Sequence, residues 1–286
     1  MLSLSAAQLG HDLPKVEISG AGYTFRLLSV LGRGSFGVAV KAMVTKSEVG
    51  RESRSFEGSV VIKKLLSSST KFYSTSSSTS LLEMLERECT VLRQFRTLNN
   101  DNLPRLFTND WVCNKTVPFI PFEPLATPLP IYASCLSQNK ELSRKELEKK
   151  VKIFESDVRT ALSAAHGLGY YHCDLRPDNV VVREDDRFVV IDWGLALNFK
   201  DKNHKFMHDY LGGIDFFHDD IVRFSAGKAE SFVYQADYDF SAMTCITYWL
   251  IYSRGLTELP WSGLKWNELI KKRKKCMGSM SKMMKI

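Results

Sequence analysis

His172-Cys173-Asp174-Leu175-Arg176-Pro177-Asp178-Asn179, then VVVREDDRFVVI (180–191), then Asp192-Trp193-Gly194, is the stretch that decides the reading of this 286-residue chain. Two short β-rich runs, 180–182 and 188–191, flank the polar REDDR (183–187), and together they read as an antiparallel hairpin. A hairpin brings its open ends together. Asn179, just before the first strand, and Asp192, just after the second, are therefore expected side by side. Two oxygen-bearing side chains so placed suit Mg²⁺, a hard cation that takes carboxylate, carbonyl and phosphate oxygen. Asp174 stands five residues before Asn179 and outside the hairpin, where its carboxylate is free to act on a hydroxyl. Polar residues capping a hairpin account for any one of these acids, but not for the whole set in this order.

Upstream, LGRGSFGVAVKA (31–42) contains Gly32, Gly34 and Gly37 as G-x-G-x-x-G. Alone this is a weak signal, because glycines also serve ordinary turns. A dinucleotide-binding fingerprint needs a helix directly after the glycines, whereas VAVKAMV (38–44) reads as a strand. The cluster therefore fits a strand-turn-strand flap whose bare backbone amides can approach phosphates. A second apolar strand, VVIK (60–63), ends in Lys63. Residues 81–95 place Leu81, Leu85, Leu92 and Phe95 on one helical face, and Glu88 sits in the middle of that stripe. A carboxylate there is costly unless a cation meets it. Lys63 supplies the cation: a Lys63–Glu88 pair would satisfy the carboxylate and fix the ammonium beside the glycine flap.

The remaining chain sets the frame. The insert 46–58 is polar, and the Ser/Thr-dominated stretch 67–80 is too polar to order itself, so it reads as a loop. Proline-rich 117–130 (VPFIPFEPLATPLP) reads as a short edge strand running into an extended connector, a candidate domain boundary. Residues 141–171 read as mostly helical, with Val151, Phe154, Val158, Leu162 and Ala165 as a core stripe. Residues 240–252 are apolar on all sides, which suits a buried central helix.

The formal net charge of +7 is carried entirely by residues 271–286, where Lys271, Lys272, Arg273, Lys274, Lys275, Lys282 and Lys285 meet no acid. A neutral body with a basic tail is a different object from a basic face, so no nucleic-acid binding by the folded body is evident. The tail itself suits a nuclear-targeting cluster, a contact with acidic partners or an anionic membrane, or a solubilising end. Six cysteines without a Cys-x-x-Cys suggest reduced thiols in an intracellular protein, cytoplasmic or nuclear. No signal peptide is evident, and the longest apolar run, 240–252, falls short of the roughly 20 residues of a transmembrane helix. With 44% hydrophobic residues, the chain can bury one large core or two modest ones, which excludes a disordered protein.

Assembled in order, these elements resemble the protein kinase family. The glycine loop resembles its G-x-G-x-x-G, VVIK its V-A-I-K strand, HCDLRPDN its H-R-D-L-K-P-x-N loop, and DWG its D-F-G. The resemblance implies an α+β, bilobal fold. Residues 1–22 would be an N-terminal extension and 23–125 a small antiparallel β-sheet lobe with one helix. Residues 126–270 would be a larger, mainly helical lobe, abbreviated at its C-terminal end, and 271–286 a basic tail. By analogy, Leu31, Gly32, Gly34, Gly37 and Ala39 would cover ATP, and Lys63, held by Glu88, would grip its α- and β-phosphates. Phe122, Glu123 and Leu125 would form the hinge against adenine. Asn179 and Asp192 would bind Mg²⁺, and Asp174, with Arg176 beside it, would accept the proton of a substrate hydroxyl. The implied activity is an ATP- and Mg²⁺-dependent protein kinase acting on a protein substrate, with Arg176-Pro177 leaning toward Ser/Thr. The alternative is a pseudokinase scaffold that binds nucleotide or partners without catalysis.

Some positions depart from the family. Cys173 replaces an arginine that in many kinases receives a phosphate from the activation segment, and 193–220 contains no Ser or Thr, only Tyr210. Activity is therefore expected not to depend on Ser/Thr phosphorylation there. GGIDFFHDD (212–220) best fits G-T-x-x-Y-x-A-P-E, with Gly213 for the threonine and Asp220 for the glutamate. The arginine partner of that glutamate is expected to be missing, along with the last helices. Of Asp237 and Asp239, Asp237 is expected to be the buried aspartate that anchors the catalytic loop.

Overall fold

Alternation of apolar and polar side chains between residues 23 and 65 produces adjacent antiparallel strands, and the computed structural model shows them paired. It describes residues 17–20, 22–33, 37–46, 58–65, 81–108, 111–113, 119–139, 141–200, 214–228, 233–253 and 259–283. Gly34, the Ser-rich stretch 67–80, Tyr210 and Gly213 lie outside the described residues. The described residues fall into two units, one containing 17–97 and 104–125, the other 98–103 and 126–283.

The first unit is a six-stranded antiparallel sheet with one helix. Its strands are β1 (Glu17–Gly20), β2 (Tyr23–Arg33), β3 (Gly37–Lys46), β4 (Gly58–Leu65), β5 (Arg105–Leu106) and β6 (Phe119–Glu123), in the order β1-β2-β3-β4-β6-β5. β1 lies within the stretch expected to be an N-terminal extension. Gly22, at φ 78°, takes the left-handed conformation needed by the turn into β2, and Ile18 then pairs with Phe25. Phe25, Val40, Ala42, Val44, Val60 and Ile62 are buried, as period-two alternation demands.

The expected edge strand is corrected. β6 pairs with β4 on one side and with the two-residue β5 on the other. Phe107 N donates to Pro121 O, so the polar side of Pro121 faces away from β4 and its missing N–H leaves that ladder intact. Helix α1 (Leu81–Phe95) buries Met84, Leu85, Val91, Leu92 and Phe95.

The second unit is mainly helical. It contains β7 (Thr127–Pro128), α2 (Leu129–Gln138), α3 (Arg144–Leu168), β8 (Tyr170–Tyr171), β9 (Val180–Val182), β10 (Phe188–Val190), β11 (Leu197–Asn198), α4 (Asp219–Ser225), α5 (Ala236–Tyr248) and α6 (Trp266–Met283). α3 starts at a capping box, in which Ser143 and Glu146 bond each other's backbone N–H, and stops at Gly169, φ 103°. Its stripe of Val151, Phe154, Val158, Leu162 and Ala165 is buried, as the periodicity predicts. α5 is continued by a π-helical turn, Trp249–Ser253.

The residues expected to be a basic tail belong largely to α6. Leu269, Ile270, Arg273 and Met280, spaced at three, four and seven residues, are buried along one side of that helix. Charge counting alone could not separate a tail from a helix whose buried side carries an arginine. Among the described residues, no helix is long and apolar enough to cross a membrane.

Candidate active site

The hairpin of 180–191 is present, with Val180 opposite Val190 and Val182 opposite Phe188. Asn102 holds it from outside, donating from Nδ2 to Phe188 O and accepting Val190 N–H at its backbone oxygen. At the open end, Ile191 N donates to Asn179 O at 2.9 Å, which brings Asn179 beside the residue that precedes Asp192. Residues Pro177–Asn179 form one 3₁₀ turn, closed by Asn179 N–H on Arg176 O. That turn swings the Asn179 amide back toward Asp174: its Nδ2 donates to Asp174 O at 2.7 Å and to Asp174 Oδ2 at 3.0 Å. The amide oxygen is left as the acceptor of Asn179.

Asp174 is an unusual carboxyl. Burial, with a contribution from the Asp192 carboxylate, raises it from the ordinary carboxylate range to about 7, against the opposing pull of Arg176 and Asn179. Arg176 turns its fork to Asp178, with Nη2 2.7 Å and Nε 3.0 Å from Oδ2. Asp192 has φ 62°, a left-handed conformation that costs a β-carbon-bearing residue on the order of 1 kcal/mol. The surroundings enforce it: Trp193 is fully buried and donates from Nε1 to Val190 O, and its ring packs against His172 at 4.6 Å. His172 is an internal strut. Its Nδ1 accepts Asp174 N–H, so Nε2 carries the proton and donates to Ile191 O at 2.9 Å.

Beneath this loop lies one carboxylate. Asp239, fully buried on α5, accepts the backbone N–H groups of His172 (2.9 Å) and Cys173 (3.2 Å) and the Tyr234 hydroxyl (2.8 Å), and pairs with His166 Nε2 (2.9 Å). Burial alone would raise Asp239, but His166 and the backbone donors hold it below the usual carboxylate range. The two N–H groups fix Cys173 at φ 66°. The expected anchor, Asp237, is exposed instead. The helical phase decides between the two, because Asp239 shares a side of α5 with the buried Ala242, Met243 and Ile246.

The acid that meets an arginine is Asp219, not the expected Asp220. Arg273 on α6 bonds Phe217 O and the carboxylate of Asp219, and Lys274 Nζ lies 3.3 Å from the same carboxylate. Burial would raise Asp219, but these two cations hold it low. Asp220, expected in that role, instead accepts the Tyr238 hydroxyl at 3.0 Å. The expected missing arginine is thus supplied by Arg273, which is 4% exposed.

In the first unit, Lys63 Nζ lies 2.6 Å from Oε2 of the buried Glu88. Ala39 on β3 is directly opposite Lys63 on β4, and Gly32 on β2 is opposite Ala39. Gly37 opens β3, and Leu31 is 37% exposed. At Gly32 a β-carbon would meet nothing within 4 Å and φ is not positive, so nothing in the described chain requires glycine there. Phe122 is buried, Glu123 exposed and Leu125 half-buried at the end of this unit.

His166, Tyr234, Asp219 and Arg273 were not singled out from sequence. His166 sits beside the apolar stripe of α3, and a ring nitrogen there signals a buried acid, but nothing local says which.

This constellation, with the antiparallel sheet unit and the helical unit, agrees with comparison to known proteins. A family model described as "Protein kinase domain" matches residues 25–285, and the chain belongs to that family. It is similar to ribosomal protein S6 kinase alpha-4 of Mus musculus, 26% identical over 84 residues, which are 29% of this chain and 11% of that protein. Serine/threonine-protein kinase RAD53 of Saccharomyces cerevisiae is 27% identical over 122 residues, 40% of this chain and 14% of that protein. Serine/threonine-protein kinase PknE of Mycobacterium tuberculosis is 32% identical over 91 residues, 32% of this chain and 15% of that protein. The matched stretches thus span only 11–15% of the length of these relatives.

Proposed function

We propose that the chain is an ATP- and Mg²⁺-dependent protein kinase that transfers the γ-phosphoryl group to a protein hydroxyl, Ser or Thr rather than Tyr. The observation that carries this reading is Asp174: a half-buried carboxyl hydrogen-bonded to Asn179 and raised by desolvation and the nearby Asp192 to about 7. Such a group is matched to proton transfer at neutral pH. The substrate hydroxyl oxygen attacks the γ-phosphorus and passes its proton to Asp174. The bond from that phosphorus to the bridging oxygen breaks, and ADP leaves with the electron pair.

Lys63, oriented by Glu88, takes the α- and β-phosphates, and the lack of any internal need for glycine at Gly32 supports backbone approach to a ligand at that flap. Leu31, Gly34, Gly37 and Ala39 complete the cover, with Phe122, Glu123 and Leu125 against adenine. Among the described residues no cluster of three or more His, Cys, Asp or Glu is arranged for a metal. That fits Mg²⁺ here, which usually takes one or two protein oxygens and fills the rest of its shell with phosphate and water. Bound by Asn179 and Asp192, Mg²⁺ supplies charge neutralisation at the phosphate oxygens. Arg176 adds a cation beside Asp174. Ser/Thr specificity is supported by Arg176-Pro177 and by the names of the relatives, and six free thiols support an intracellular setting, cytoplasmic or nuclear.

The test uses purified protein, labelled ATP and Mg²⁺ on generic protein substrates, beside Asp174→Ala and Lys63→Ala. Transfer by the wild type and its loss in both variants is the expected result. Equal signal from all three would expose a contaminant, and nucleotide-dependent stabilisation without transfer would make the chain a nucleotide-binding scaffold.

A further inference from the structure

We propose that the solvent side of α6 is a docking surface for an acidic segment of the protein substrate, an inference that rests on the kinase reading. The helix turns Leu269, Ile270, Arg273 and Met280 inward and exposes Lys271, Lys272, Lys274 and Lys275. At 3.6 residues per turn, Lys271, Lys272 and Lys275 fall within an arc of about 100°. Lys274 is answered by Asp219, but Lys271, Lys272 and Lys275 have no ion-pair partner among the described residues. Glu268, the one acid of the helix, pairs with none of them. Further along the same side, Gly278 and Ser279 are exposed, and a β-carbon at Gly278 would meet nothing within 4 Å, so the stripe continues into a low step that an extended chain can cross.

Arg273 ties α6 to Phe217 and Asp219, Tyr238 ties α5 to Asp220, and Asp239, the next residue on α5, holds the backbone of His172 and Cys173. Asp174 follows directly. The helix that presents the lysines is thereby held, through its buried side and within one unit, to the loop that carries the proposed base.

The alternatives fit less well. A helix lying on a membrane needs an apolar face for the headgroup boundary. Here the apolar side is buried against the rest of the unit, and the exposed stripe offers Lys, Gly and Ser. Single-stranded nucleic acid calls for aromatic platforms beside the charge, and none is exposed on the stripe.

The test compares the whole chain with Lys271→Glu/Lys272→Glu/Lys275→Glu, and with the milder Gln triple. All three side chains are exposed, so equal melting temperatures are expected. Anisotropy with a fluorescent oligoglutamate peptide reads docking without catalysis. The wild type should bind it in a salt-sensitive way, the Gln triple more weakly, and the Glu triple not at all. In transfer assays an acidic extension on a Ser-containing peptide should lower KM roughly tenfold for the wild type only, with the unextended peptide equal in all three proteins. Peptide binding that is absent, or indifferent to the substitutions, overturns the proposal, as does loss of binding only to phosphatidylserine vesicles or DNA. Peptide binding without any transfer would instead overturn the kinase reading and reassign the face to a non-substrate partner.

Discussion

The buried guanidinium of Arg273 on α6 pairs with the half-buried Asp219 at the start of α4, and it also satisfies Phe217 O. Replacing Arg273 by Ala leaves the buried Phe217 carbonyl without its donor and the half-buried Asp219 with only the exposed Lys274 beside it. The expected loss is about 3–5 kcal/mol in denaturant unfolding. Lys274→Ala, at a side chain 66% exposed beside the same acid, should stay within about 0.5 kcal/mol of the wild type. Equal losses would mean that proximity to Asp219, not burial, sets the energy.

Asp239→Asn keeps the shape of the anchor but turns one acceptor oxygen into a donor, facing groups that are themselves donors. A loss of about 2 kcal/mol or more is expected, with kcat falling further than KM because the damage is to the loop carrying Asp174. Asp237→Asn, at an exposed side chain, should be silent in both assays.

Asp174 sets two pH dependences of opposite sense. As the base, it works when deprotonated, so kcat/KM should rise with pH through an apparent value near 7 or lower once a cation binds nearby. For stability, its folded pKa lies above the unfolded one, so the native state holds the proton more tightly, and stability from this group is lost as pH rises from about 4 through 7. Asp174→Asn should therefore be inactive yet more stable than the wild type at pH 8, by on the order of a few kcal/mol, with the gap closing toward pH 4. Urea unfolding at the two pH values measures this directly, and a gap that widens on acidification would contradict it.

Lys63 and Glu88 are coupled. Lys63→Met alone leaves the Glu88 carboxylate buried beside an apolar side chain and should cost several kcal/mol, whereas Lys63→Met with Glu88→Gln should cost less than the single change. Unfolding of the three variants checks the sign of the coupling.

Because 193–220 offers only Tyr210 as a hydroxyl acceptor and Cys173 stands where a phosphate-receiving arginine would be, Tyr210→Phe should retain full activity. Mass spectrometry that finds phosphate in this segment, together with activity that depends on it, would contradict the expectation.

The hairpin and the Lys63–Glu88 pair were legible because their signals are local. A hairpin with three residues in each ladder strand fixes what lies at its open ends, so Asn179 and Asp192 are expected side by side from the residues between them alone. Glu88 betrayed itself as a charge on an apolar stripe, and the demand it made pointed to Lys63 across twenty-five positions. The choices that went the other way, Asp237 over Asp239 and Asp220 over Asp219, were between neighbouring carboxylates of equal chemistry. One residue along a helix is a turn of about 100°, and only packing says which side is inward.

By itself, then, the amino-acid order determined the hairpin, the strands of the first unit, the apolar stripes of α1 and α3 and the family resemblance, since each rests on period, spacing or residue type within a short window. Tertiary structure decided which carboxylate anchors the loop, that β6 has neighbours on both sides, and that Arg273 is a buried strut while Lys271, Lys272 and Lys275 face solvent. Those outcomes depend on partners tens of residues away, whose burial reverses the meaning of a charge: the same cation that solubilises a surface becomes, once desolvated, the group a distant carboxylate cannot do without.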